Sequence, residues 1–552
     1  MDNLFLLKLN RAVWISYLEQ KKVMEAANYF EIYRNALSVF KGSESEIAEA
    51  EKEIVYSLDV FLEKVAQLSK KFIDEKDYPQ ALICCSAYFK HDRKNTENLK
   101  YYTECLRQLK QYDLEIEFLH YIESVSKSNN EINKFIAEAY HNKEDYYKAV
   151  EYLDKYLNNK KSVSAEEYNL QGCYYNNLYS DSSKDIEDAK KSLKAFQKAI
   201  TIKTTKTFLK NITIMASKCN EYEIGKKAWD EIKKSYTMTN DDKYDYAAFC
   251  LKHENFEEWH EYFEARFNKE NNSTIFPKLT KPKWNGKKDL SNSTLLVYYE
   301  QGFGDSFLMY GYLPRLVKLA KHVIFVVQES IYPLLKDNEY GIEVLPSGTD
   351  ISKIKYDYYI PSMSIPIVLK YDRSNLSVGE GYIKADKKLV ADYKSKYFSN
   401  DKLKIGISLS GSSVGDKNRD ITPNNLVLLD KLENVELYCI TKDIEDKDFD
   451  CFKNNKVINI AKTFKDFSDT AAAMENMDVI ISADNVLLNL AGALGKKTFG
   501  LFNWANQFRW FDLTGEDTVW YTSVKPFVND KMNNWEYSVS NIVKELKKLI
   551  SK

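Results

Sequence analysis

The sequence predicts an all-α repeat array followed by an α/β region built of two doubly wound halves. Three observations predict it. Aromatic residues recur every 34 positions through the first half of the chain. The helical period then stops at a stretch rich in Asn and Pro, "RFNKENNSTIFPKLTKPKWNGKKDLSNS". Beyond it, short β-branched and aromatic runs alternate with amphipathic segments, in two series. A chain of 552 residues exceeds what one core supports, so about two to four domains are expected.

Residues 1–60 read as helices that cap the array, "RAVWISYLEQKKVMEAANYFEIYRNAL" among them. The array itself is assigned to 61–268. Tyr78 in "EKDYPQAL", Tyr112 in "LKQYDLEI" and Tyr146 in "KEDYYKAV" lie 34 residues apart. "YSDSSKDIED" breaks the register, which recovers at Tyr222 in "CNEYEIGKKAW" and Phe256 in "HENFEEWHEYF", again 34 apart. A helix–turn–helix unit of this period is the tetratricopeptide signature. One helix pair cannot bury its apolar face, so neighbours stack and the stack curves around a concave surface. That surface suits a protein or peptide partner. The alternatives are an array that braces the next domain or joins two copies in a homo-oligomer.

Residues 269–292 form the linker. The first α/β half, 293–385, has strands at "STLLVYYE", "HVIFVVQ" and "YDYYIPS". The second, 386–552, has them at "KIGISLS", "VELYCIT", "KVINIA", "DVIISAD" and "KTFGLFN". Strands alternating with helices imply parallel sheets with right-handed crossovers. Two such halves leave a cleft, with ligands at the carboxyl ends of the strands.

Composition excludes several functions. Acids and bases nearly balance at a net charge of -2, which removes the electrostatic case for nucleic-acid binding. No apolar run has the length of a membrane span. The opening "MDNLFLLKLNRAVW" does not read as a signal peptide. The eight cysteines form no CxxC pair, so neither a metal site nor a disulfide framework is signalled, and a reducing cytoplasm is the expected setting. None of the six histidines lies beyond His322, so the residues after it offer no imidazole of their own for catalysis.

Candidate chemistry sits in the strand-to-helix turns. In "VYYEQGFGDSFLMYGYLP", Gly302 and Gly304 permit positive φ and close backbone approach. Asp305 falls where a helix begins, as a cap or as a general base facing the cleft. Glu300 and Gln301 are placed to orient an acceptor or Asp305, and Glu300 reads equally as a solvent-facing strand end. In "VIISADNVLLNLAGALGK" a buried strand ends at Asp484 and Asn485, and a helix starts at once. Its amino end suits a phosphate or diphosphate. Asp484 is expected to cap that helix or meet a sugar hydroxyl, with Asn485 and Asn489 as neutral donors. "GISLSGSSVGDKNRDITP" supplies Ser410, Gly411, Ser412, Lys417 and Arg419, small residues followed by cations that fit a diphosphate.

From about Phe256 to the end, over half the chain, the motifs resemble one family in order. They are "FEEWHEYFEARF", "FPKLTKPKWNG", "EQGFGDSFLMYGYLP", "PSMSIP", "GISLSG", "KNRDI", "DFSDTAAAMENMDVIISADNVLLNLAGALGK" and "FRW". The family is that of bacterial proteins with tetratricopeptide repeats fused to a GT-B glycosyltransferase domain, of the flagellin-glycosyltransferase type. It is related to the heptosyltransferases and, more distantly, to the O-GlcNAc transferases. The third motif is similar to one that usually reads EQGLGDxxxFxRYLP.

The resemblance implies a GT-B fold and an inverting, metal-independent transfer from a nucleotide sugar, with no cofactor. The acceptor would enter from the first half and the donor would sit on the second. Asp305 matches the family's proposed base. Gly302, Gly304, Ser410, Gly411, Lys417, Arg419, Asp484, Asn485, Asn489 and Arg509 fall on the donor side, with Trp504 and Trp510 at the rim. Glu300, Gln301 and Ser364 of "PSMSIP" fall on the acceptor side. A segment that usually reads DTxxxH departs here at Asn485 and Asn489. The implied acceptor is Ser or Thr of a protein, flagellin or another surface protein, held by the repeats. A glycan acceptor, and a degenerate transferase kept as a non-catalytic scaffold, stay open as alternatives.

Overall fold

A computed structural model of the chain describes all residues except 1–3, 5–9, 94, 126–129, 271–278, 410–418, 420, 505–507, 512, 514–517 and 552. It divides into two units. One is Met1–Ser183 with Asp188–Thr204, and the other is Lys184–Glu187 with Thr205–Lys552.

The first unit is a stack of helix pairs. Tyr78, Tyr112 and Tyr146 are each the first residue of a helix, Tyr78–Phe89, Tyr112–Val125 and Tyr146–Asn158. The turn before each sets the recurrence. Lys76, Lys110 and Glu144, two residues upstream of the tyrosines, have φ of 60°, 56° and 67°. The next amide then reaches back to close the preceding helix: Asp77 N to Phe72 O at 2.8 Å, Gln111 N to Leu106 O at 2.8 Å, Asp145 N to Tyr140 O at 3.0 Å. A side chain in this left-handed region is strained, and glycine relieves it. Lys110→Gly is expected to raise stability by about 0.5–1 kcal/mol, after glycine's own entropy cost, read as a higher urea midpoint. An unchanged or lower midpoint would contradict the turn's role. The break at "YSDSSKDIED" holds a π-helix of 6 residues, Leu178–Ser183, and the helix Ile186–Ile202 starts six positions later than the period requires.

The boundary predicted at residue 60 is corrected. Glu44–Asp74 is one helix of 31 residues, opened by a Ser43–Glu46 capping box and uninterrupted through that point. Its Phe61 and Val65 share a core with Trp14 and Phe30, so the cap and the first repeat fold as one body.

Deeper in the stack, Glu115 is buried beside Arg107 at 2.9 Å. Burial outweighs the arginine's attraction and lifts the carboxyl from 4.5 to about 7. The folded pKa then exceeds the unfolded one, so this group's contribution is full below the unfolded pKa and is lost as pH rises through about 7. Wild type is expected to lose roughly 1 kcal/mol or more relative to Glu115→Gln between pH 5 and pH 8. Urea unfolding at the two pH values checks it.

In the second unit, Lys206–Lys218, Tyr222–Ser235, Asn240–Lys252 and Phe256–Tyr262 continue the repeats. Asn220 and Glu254 hold φ of 56° and 59° before Tyr222 and Phe256. A 3-10 turn, Phe263–Asn268, ends them. The helices of the array expected over 61–268 thus fall in both units, the last two hairpins with the α/β region.

The first sheet is parallel in the order β3-β2-β1-β4, with β1 Leu290–Tyr298, β2 Ala320–Val327, β3 Glu343–Pro346 and β4 Tyr358–Pro361. The second is parallel in the order β10-β9-β8-β5-β6-β7. Its strands are β5 Leu403–Ser408, β6 Val435–Cys439, β7 Val457–Asn459, β8 Val479–Ala483, β9 Thr498–Phe502 and β10 Val524–Val528. β3 and β10 are absent from the predicted strands. Both are short edge strands carrying a proline, Pro346 and Pro526, which is where a strand tolerates a missing amide and where the apolar signal is weakest. Strand order reverses between β1 and β4 and between β5 and β8. The turns leaving β1, β5 and β8 thus lie at the two switch points, where such sheets bind ligands.

Candidate functional site

β1 is buried from Leu295 to Tyr298 and delivers its following turn to the cleft. Gln301, with φ of 59°, is the left-handed residue of that turn. This corrects the reading of the glycines, since neither Gly302 nor Gly304 has positive φ. Gly304 is required for close approach instead. A Cβ there would lie 2.9 Å from Asn489 Nδ2 and 3.5 Å from Val486 Cα. The helices Phe303–Tyr310 and Val486–Leu494 therefore meet across the cleft floor.

Asp305 is both a cap and a cleft residue. Its Oδ2 accepts from Gly302 N at 3.1 Å, and its Oδ1 accepts from Arg509 Nη1. Arg509 Nη2 also donates to Gln301 Oε1 at 2.7 Å. Burial works against the Arg509 charge, but attraction from Asp305, Tyr244 and Asp484 outweighs it and raises its pKa. Arg509 was placed beside the donor, and the structure pairs it with the candidate base.

Asp484 follows β8, with its side chain 10% exposed. It accepts from Trp510 Nε1 at 2.8 Å, and Arg419 lies 3.6 Å from its Oδ2 and donates to its carbonyl at 3.2 Å. Burial raises its carboxyl pKa against the pull of Arg419 and the Trp510 bond. Asp484 does not cap the helix, which is a second correction. Asn485 does so, its Oδ1 accepting from Leu487 N at 2.8 Å and Leu488 N at 3.3 Å. Its Nδ2 donates to Ser408 Oγ at 2.8 Å and Leu409 O at 2.6 Å, tying the end of β8 to the end of β5. Asn489 donates to Asn485 O at 3.1 Å and accepts from Tyr521 OH at 3.0 Å. Both amides were expected to face a phosphate; both line the cavity, but Asn485 Nδ2 donates twice and Asn489 Nδ2 once inside the protein, and two amides of the helix start are capped.

Glu300 and Ser364 are corrected as well. Both are buried, at 1% and 0% exposure, and Glu300 is bound by Arg266 and by Met363 N. Neither lines the cleft, so Glu300 is not a solvent-facing strand end, which leaves for it the expected role of orienting Asp305. Ser410, Gly411 and Lys417 lie outside the described residues.

The remaining candidates converge on one cavity of about 680 Å³. Gln301, Gly302, Gly304, Asp305, Arg419, Asp484, Asn485, Asn489 and Arg509 all line it, with Tyr299, Gln328, Trp510 and Trp520. Among the described residues, Arg419 Nε and Arg509 Nε are buried donors with no partner. Such a donor costs about 1–3 kcal/mol until something accepts from it. A second cavity of about 630 Å³ shares Phe303, Asn485 and Val486 with the first and continues past Thr441, Lys442 and Phe467.

Sequence reasoning missed Gln328 and Tyr244. Gln328 follows β2, accepts from Ser306 Oγ at 2.7 Å and donates to Gln301 O at 3.3 Å. A polar residue at the carboxyl end of a strand was the available signal. Tyr244 comes from the repeat helix Asn240–Lys252 and lies close enough to Gln301, Asp305 and Arg509 to feel their polarity. Burial raises its pKa, with Asp305 adding to the rise and Arg509 and Arg266 opposing it. Nothing in its sequence context marks it. No three His, Cys, Asp or Glu side chains group as metal ligands among the described residues. No helix among them is long and apolar enough to cross a membrane.

No family model matches the chain. Protein FlbA of Caulobacter vibrioides is 33% identical over 82 residues, so the similarity spans 15% of this chain and only 13% of that protein. Among solved structures, a glycosyl transferase family 9 protein from Veillonella parvula is 13% identical with a TM-score of 0.39, covering 48% of this chain and 99% of its own. MamA from Desulfovibrio magneticus RS-1 is 15% identical with a TM-score of 0.27, over 32% of this chain and 92% of its own. Pseudomonas aeruginosa PilF is 10% identical with a TM-score of 0.31, over 38% and 91%.

Proposed function

We propose that the chain is a glycosyltransferase. It moves a sugar from a nucleotide-sugar donor to Ser or Thr hydroxyls of a protein, with the repeats holding that protein. The observation that carries this is the cavity at both switch points, where two carboxylates, Asp305 and Asp484, stand with two arginines that retain unpartnered buried donors.

The donor diphosphate would take Arg419 and Arg509, recovering those N–H bonds. Drawing Arg509 away leaves Asp305 without its charged partner, held by Gly302 N alone of these two bonds. Asp305 then accepts the proton of the acceptor hydroxyl as its oxygen attacks the anomeric carbon. The bond to the diphosphate breaks on the opposite face, inverting the centre, and the arginines hold the departing charge. Lys417, Ser410 and Gly411 belong to the donor side of this proposal. The nucleoside would fill the second cavity, beside Thr441 and Phe467. No metal is needed in this scheme, because arginines meet the diphosphate charge. Flagellin, modified in the cytoplasm before export, is the first acceptor to try, and a glycan acceptor the second.

A binding-only protein has one observation in its favour: Asn485 and Asn489 are committed to internal bonds. A thermal-shift panel of UDP, GDP, CMP, dTDP and ADP compounds separates the readings. One series is expected to stabilise wild type, by about 2.7 kcal/mol at a hundredfold excess over Kd. Arg509→Ala is expected to bind that series roughly 10- to 100-fold more weakly, as for loss of a charge-assisted bond. No shift with any series at millimolar ligand would reject donor binding.

A further inference from the structure

Glu300 is one residue from the left-handed Gln301 and five from Asp305, and its carboxylate is held from two directions. Arg266, 5% exposed, donates through Nε to Oε1 and through Nη2 to Oε2, each at 3.0 Å. Met363 N donates to Oε2 at 3.0 Å. Arg266 Nη2 also reaches Ser364 Oγ at 2.8 Å, and its Nη1 reaches Glu264 Oε1 at 2.7 Å. Ser364 Oγ donates to the same Glu264 oxygen at 2.8 Å. The guanidinium lies over Phe263 and Phe267, 4.5 and 4.1 Å from the ring centroids.

These bonds join three places. Arg266 and Glu264 sit on the 3-10 turn that ends the repeats. Glu300 ends the segment leaving β1, and Met363 and Ser364 follow β4. β1 and β4 flank the switch point of the first sheet. A buried ion pair adds little stability over an apolar pair of the same volume. Two parallel N–H···O bonds do fix the plane of a carboxylate, and so the main chain entering the turn. A non-glycine residue at positive φ persists only where its surroundings over-determine it. Here they are Glu300 before it, Arg509 on its side chain and Gln328 on its carbonyl.

We propose that Arg266 and Glu300 are positioning residues for transfer: through the Gln301 turn they set where Asp305 stands, which makes the last turn of the repeats part of the catalytic machinery. This rests on the transferase reading of the same cleft.

The test uses the full chain as wild type, Arg266→Lys, and the double variant Arg266→Met with Glu300→Met, which leaves no unpaired buried charge if Arg266→Lys fails to fold. kcat and donor KM are measured with the donor that wild type turns over, and hydrogen exchange is followed at residues 300–306. The expected result is a tenfold or greater fall in kcat with donor KM within twofold, and faster exchange at 300–306 with β1 unchanged. Unchanged kcat and exchange in a folded variant would overturn the proposal. So would a fall in kcat matched by an equal loss of donor affinity and by faster exchange throughout the unit, which marks a merely structural pair. If wild type turns over no nucleotide sugar, the transferase reading fails, and exchange at 300–306 alone decides whether the pair holds the turn.

Discussion

Asp305→Asn is expected to lower sugar transfer by about 10²–10⁴-fold, the usual contribution of a positioned general base, while the protein stays folded and binds donor. The reason lies in the two bonds that Asp305 makes. An amide oxygen still accepts from Gly302 N, so the helix start is kept. The charge that holds Arg509 is lost. Arg509 then keeps its bond to Gln301 and the attraction of Asp484 but is freer to meet a diphosphate, so donor affinity is expected to be equal or tighter. Kinetics and a binding isotherm on the same preparation check both halves. Transfer that survives the change would leave Asp305 as a cap alone.

Arg266→Ala is expected to cost about 3–5 kcal/mol of stability, the scale for removing one partner of a buried ion pair. The loss leaves the Glu300 carboxylate, 1% exposed, with Met363 N as its remaining partner among these bonds. It also empties the space between Phe263 and Phe267. Denaturant unfolding of the full chain measures it, and a loss below about 1 kcal/mol would mean that the pair contributes no more than an exposed one.

The turns between repeat helices were legible through the aromatic residue that opens each second helix, but their cause was not. Lys76, Lys110, Glu144, Asn220 and Glu254 occupy left-handed positions where glycine would have announced the turn. The buried strands β1, β2, β5 and β8 could be read from apolar runs. β3 and β10 could not, because an edge strand with a proline lacks such a run. In the site, Asp305 and Arg509 were both named, yet their pairing spans 204 residues and depends on how the two halves close. The burial of Glu300 was not legible because its partner Arg266 belongs to the repeats, and Tyr244 was one tyrosine among 40. Asn485 and Asn489 looked like ligand donors in a motif read alone. Asn485 binds the end of β5, and Asn489 binds Asn485 O and the distant Tyr521, neither of which the motif shows.

The most direct measurement is nucleotide release by the wild-type chain, incubated in turn with UDP, GDP, CMP, dTDP and ADP sugars and a candidate protein acceptor. Release from one series is expected, with a matching mass increment on acceptor Ser or Thr residues, and neither with Asp305→Asn. Tight binding of a nucleotide with no release and no mass increment, across every donor, would contradict it.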